Sequence, residues 1–181
     1  MRAGARTGFN TLLQRGFYLA GRSGMTVREF LREVVGYDDA RIDRDVRTVF
    51  LNSSPMDGLD ETMVRDGDRL ALGSAMPGLV GICMGRDNPY KEFRKSLALE
   101  RTADDEKGAP VRVYVKIFSV LAVDTGADIL ARGVEVDRES LVALLEREKE
   151  NILSEAGRSP DRVIESVKKG TGPLCLAVRF V

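Results

Sequence analysis

The sequence predicts an α+β fold in two halves, and three local patterns carry that expectation. GMTVREFLREVVG, residues 24–36, contains the capping box Thr26/Glu29. Val27, Phe30, Leu31, Val34 and Val35 follow at the spacing of a helix that lays one apolar stripe on a sheet. VRVYVKIFSVLAV, residues 111–123, alternates with the period of a half-buried strand. SPDRVIESVKKG, residues 159–170, sets Pro160 at the first helical position behind a serine N-cap and stops at Gly170.

The remaining elements follow in chain order. FNTLLQ (9–14) and FYLAGR (17–22) predict a hairpin across Arg15-Gly16, closed by the turn cluster GRSG. After the first helix, which Gly36 ends, Val49, Phe50 and Leu51 predict a short buried strand broken at Asn52–Pro55. Asp66-Gly67 is a tight-turn dipeptide leading into the strand RLAL. The first half therefore reads ββαβ and a final β. Charges crowd into residues 85–110, where KEFRKSLALE suits a short helix and TADDEKGAP a solvated connector.

In the second half, Val111, Val113, Val115, Ile117, Leu121 and Val123 share one side of the long alternation, opposite Arg112, Tyr114, Lys116 and Phe118. Asp124-Thr125-Gly126 predicts the turn of a second hairpin into ILARGVEV. Asp137 caps a helix bearing Leu141, Leu144 and Leu145, and PLCLAVRFV closes the chain as a strand. The expected division is residues 1–84, a connector at 85–110, and a ββααβ domain at 111–181.

Composition narrows the chemistry. Lys plus Arg is 28 and Asp plus Glu is 28 in 181 residues, so no global field gathers phosphate backbones, and nucleic acid is not an expected partner. With 43% hydrophobic and 31% charged residues the chain can bury a core. No stretch approaches the roughly 18 uninterrupted apolar residues of a membrane span, so no membrane association and a cytoplasmic location are expected. The absence of histidine removes Ser-His-Asp and Cys-His pairings and the HExxH zinc site. Cys83 and Cys175 form no CxxC pair and read as free thiols. No cofactor, metal or catalytic residue is expected.

GMTVREFLREVV, VFLNSSPMD and VRDGDRLALGSAMPG together resemble the β-grasp (ubiquitin-like) sulfur carriers, the small subunit of molybdopterin synthase and the thiamine-biosynthesis carrier, over residues 9–81. The resemblance implies a β-grasp first half. It also implies, for a carrier, a flexible Gly-Gly terminus with a free carboxylate that is adenylated and thiocarboxylated. Here the matching run is Met76-Pro77-Gly78-Leu79-Val80-Gly81, without Gly-Gly and followed by about a hundred residues. Only cleavage after Gly78 or Gly81 would expose a carboxylate.

GSAMPGLVGICMGR, residues 73–86, has two readings. It is a glycine-rich binding loop, with Met76, Gly78, Leu79, Gly81, Cys83, Met84 and Arg86 as contacts, or a tight-turned connector whose apolar residues pack inward. Lys168 to Gly172 matches no phosphate loop and reads as a basic helix end. Asp57, Asp60, Glu61, Asp66 and Asp68 lack metal-loop spacing and read as turn formers. The expectation is a non-catalytic binding or assembly module with a protein partner or a second copy of itself. The alternative is a sulfur-carrier precursor; no small-molecule ligand is specified.

Overall fold

The computed structural model describes residues 1–75, 78–86, 108–153 and 158–181. The chain is α+β and forms two compact units: Tyr18–Leu121, and Met1–Phe17 together with Ala122–Val181. The units therefore divide the chain differently from the 1–84 and 111–181 halves expected. The body of the predicted connector, 87–107, lies outside the described residues.

In the Tyr18–Leu121 unit, five strands lie in the order β3-β2-β4-β5-β1: β1 (Phe17–Arg22), β2 (Thr48–Leu51), β3 (Ser54–Pro55), β4 (Arg69–Gly73) and β5 (Pro110–Ile117). Asn52 and Ser53 both take left-handed φ, 50° and 71°, the two-residue turn whose twist matches antiparallel strands, so Ser54-Pro55 folds back on β2. β2 and β4 are antiparallel and β4 and β5 parallel, with Leu70 opposite Leu51 on one side and Val115 on the other. Ser23 N–H donates to Ala109 O at 2.8 Å and Gly108 N–H to Ser23 O at 3.0 Å, while Tyr18 meets Tyr114; β1 therefore runs against β5.

One face of this sheet carries Leu19, Val49, Leu51, Leu70, Leu72, Val111, Val113, Val115 and Ile117, all buried. Against it lies the capped helix, α2 (Val27–Phe30), which continues as a π-helical turn over Leu31–Val35. Thr26 Oγ1 accepts the Glu29 N–H at 3.1 Å and Glu29 Oε2 accepts the Thr26 N–H at 2.8 Å, as the sequence predicts. A Cβ on Gly21 would stand 3.0 Å from the Phe30 ring, so glycine at this point of β1 lets the helix approach. Helix α3 (Asp39–Arg44), capped by Asp38, is tied to α2 by Arg28, whose guanidinium reaches Asp43 at 2.9 Å, Asp60 at 2.8 Å and Asp39 at 3.5 Å.

The other unit is mainly helical. FNTLLQ is not a strand: it belongs to helix α1 (Arg6–Arg15), which buries Phe9, Leu12 and Leu13 at the i, i+3, i+4 spacing. The thirteen-residue strand expected at 111–123 ends at Ile117. Helix α5 (Ser119–Arg132) follows, so Asp124-Thr125-Gly126 is helical and no hairpin forms there. Gly126 is the crossing point with α1: a Cβ there would fall 2.7 Å from Leu13 Cδ1 and 2.9 Å from Asn10 Oδ1.

Beyond α5, β6 (Val134–Val136) pairs antiparallel with β7 (Leu174–Leu176), shorter than the closing strand expected. Helix α6 (Arg138–Arg147) starts at Asp137, whose carboxylate accepts the Ser140 N–H at 2.8 Å and is held below the usual carboxylate range by that bond. Helix α7 (Pro160–Lys169) starts at Ser159 as expected. Phe9 and Phe180 meet edge to face at 5.5 Å.

Candidate functional site

The segment 73–86 is not a loop throughout. Gly78–Met84 forms helix α4, with Gly78 at left-handed φ (78°) at its start. Gly78, Leu79, Gly81, Cys83 and Met84 thus lie on one helix, Cys83 half-buried and Gly78 exposed. Met76 falls outside the described residues.

Arg86 is buried. Its Nη1 donates to Ile42 O at 3.2 Å and Val46 O at 3.0 Å, its backbone N–H donates to Arg47 O at 2.6 Å, and Nη2 stands 3.9 Å from Asp43. A cation at the carbonyl end of α3 complements its dipole, so Arg86 fastens the end of α4 to the α3–β2 junction.

The carboxylates placed at turns stay there. Asp68 is buried, accepting Asn52 Nδ2–H at 2.9 Å and the Arg65 N–H at 2.8 Å; Asp66 accepts the Arg112 N–H at 2.7 Å, and Asp60 pairs with Arg28. Among the described residues no three His, Cys, Asp or Glu side chains converge as a metal site.

At the end of α7, Lys168 pairs with Glu146 and Lys169 with Glu165, both at 2.6 Å. Arg138 donates to Val167 O and, at 3.1 Å, to Gly172 O. The α6–α7 groove, about 380 Å³, is lined by Glu146, Lys149, Asp161, Ile164, Glu165 and Lys168, and Lys149 is bonded to Asp161 at 2.5 Å. Its charges answer one another.

Among the described residues of the Tyr18–Leu121 unit, cations and aromatic rings gather on the face of the sheet opposite α2. β5 alternates there with Arg112 exposed and Tyr114 and Lys116 half-buried, while Val111, Val113, Val115 and Ile117 face the core. Arg69 stands beside Tyr114 in register, and Ala71, beside Lys116, is flanked on its other side by Phe50. Tyr18 and Tyr114 pack with ring centroids 4.9 Å apart and planes tilted by 57°. Arg112 Cζ lies 3.5 Å from the Tyr18 centroid; Arg69 Cζ and Lys116 Nζ lie 5.3 Å and 5.9 Å from the Tyr114 centroid.

Two aromatic rings thus hold three cationic heads in one cluster. The Arg112-Tyr114-Lys116 half of it is legible as the polar side of the β5 alternation. Tyr18 and Arg69 join it only through strand pairing, which no local pattern announces. No family model, curated protein or solved structure matches the chain.

Among the described residues, no helix is long and apolar enough to cross a membrane.

Proposed function

We propose that the protein is a non-catalytic binding or assembly module built on a β-grasp-like unit whose strands are joined in permuted order. The sequence expects β1 to be the second strand of a hairpin, followed by a helix and two more strands. The support for a permuted grasp is that β5, arriving last, occupies the place of the missing first strand: antiparallel to β1, parallel to β4 and lying between them. That is the position a ubiquitin-like fold gives its opening strand.

The observation that carries the module reading is the sheet face opposite the helix-covered side, where Tyr18, Tyr114, Arg69, Arg112 and Lys116 gather. The sheet edge is a poorer docking place. β3 is two residues long, and Pro55 within it offers no N–H to an added strand.

The carrier alternative draws less support. Gly78 opens α4 and Gly81 lies within it, and cleavage at either would cut the chain between β4 and its parallel neighbour β5. A protein partner or a second copy of the chain is the expected company.

Native mass measurement on tagged protein from its own cell tests this reading. The expected species is the full-length chain in a stoichiometric complex with itself or another protein. A chain ending at Gly78 or Gly81, or a full-length chain that is always alone, overturns it.

A further inference from the structure

We propose that α7 is a releasable helix, held against α6 by ion pairs across an open seam, which undocks as ionic strength rises while α1 and α6 stay folded. The helices of its unit differ in how they are anchored. α1 buries Phe9, Leu12 and Leu13, and α6 buries Leu141, Leu144 and Leu145. α7 buries Ile164, with Val163 and Val167 half-buried beside it. An element with so little buried apolar contact sits at the low end of local stability and opens without the rest of the fold.

The bonds that fasten α7 are polar. Lys168 pairs with Glu146 of α6 at 2.6 Å, and Lys149, just beyond α6, pairs with Asp161 at 2.5 Å. All four side chains are exposed, so salt screens both pairs. Arg138, at the start of α6, adds bonds to Val167 O and Gly172 O. The groove of about 380 Å³ between the helices has Ile164 as the one apolar side chain among those lining it, so the two surfaces do not close into a core.

The chain on the far side of α7 permits the movement. Gly170 and Gly172, the latter at left-handed φ (82°), lead into β7, which is tied separately to β6 with Leu176 opposite Val134 and Leu174 opposite Val136. α7 thus leaves while β7 stays paired. Its departure bares the Val163-Ile164-Val167 stripe, a conformational switch set by ionic strength.

Native-state amide hydrogen exchange on the full-length chain tests this in about 0.01 M and about 1 M sodium chloride, between which the screening length falls from about 30 to about 3 Å. At low salt the amides of Ile164–Lys169 should exchange about tenfold or more faster than those of α1 and α6, as a separately opening element does. High salt should speed α7 by a further factor of about three to ten, the equivalent of losing two exposed ion pairs, and leave α1 and α6 unchanged. Lys149→Gln with Lys168→Gln should reproduce the high-salt rate at low salt. Lys169→Gln, which removes the pair with Glu165 inside α7, should leave the salt response in place.

Amides of α7 as slow as those of α1, a rate that does not change with salt, or a Lys149/Lys168 double variant that exchanges like the unaltered protein overturns the proposal. So does loss of protection in α1 and α6 together with α7 at high salt, since α7 would then open only with its whole unit.

Discussion

Val115→Asp should unfold β1, β2 and β4 together with β5. Val115 is wholly buried and sits opposite Leu70, itself 1% exposed, in the parallel pair at the middle of the five strands. A carboxylate there has no partner and no water, a penalty of several kcal/mol that is comparable to the whole stability of a small domain. Amide spectra of the variant should lose the dispersed signals of Val49 and Leu70 as well as those of β5. Were residues 111–181 a separate ββααβ domain, signals from residues 18–73 would persist unchanged.

Arg86→Gln should destabilise the protein by about 2–4 kcal/mol, as expected when a buried cation is removed from the carbonyls it satisfies. The shorter amide cannot span to both Ile42 O and Val46 O, at 3.2 and 3.0 Å from Nη1, and the 3.9 Å approach to Asp43 goes as well. Urea unfolding measures the loss. A change below about 0.5 kcal/mol, the range of an ordinary surface substitution, would contradict that anchoring role for Arg86.

What the sequence disclosed was local. The Thr26/Glu29 box, the Asp137 cap and the Ser159-Pro160 start each involve groups a few residues apart, and all three helices begin where those groups stand. FNTLLQ also carries a helical signal, since Ala5, Phe9, Leu12 and Leu13 repeat at helical spacing and are buried. The six-residue window beginning at Phe9 hides the repeat and leaves only an apolar cluster before a glycine.

The alternation beyond Ile117 misleads for a related reason. Leu121, Ala122, Thr125, Ile129 and Leu130 form the buried stripe of α5, but Asp124-Thr125-Gly126 imitates a turn. That glycine is there because Leu13 comes too close for a side chain, a fact of helix crossing that adjacent residues cannot express. The placement of β5 is the same kind of problem on a larger scale: the pattern shows a strand, and only the fold shows its neighbours.

The candidate site divides along that line. Arg112, Tyr114 and Lys116 were visible as the polar side of a strand, whereas Gly78 to Met84 looked like a loop because glycines at 78, 81 and 85 suggest turns. Instead the segment is helical from Gly78 to Met84 and is fastened by Arg86.

Cross-strand proton contacts in the full-length chain test the central claim, that β5 completes the sheet of β1–β4. The arrangement predicts short contacts from Val115 to Leu70, from Ile117 to Leu72, and between the rings of Tyr18 and Tyr114. Contacts from residues 111–117 to Ile129, Val134 and Val136, as in a second hairpin, with none to β4, would contradict it.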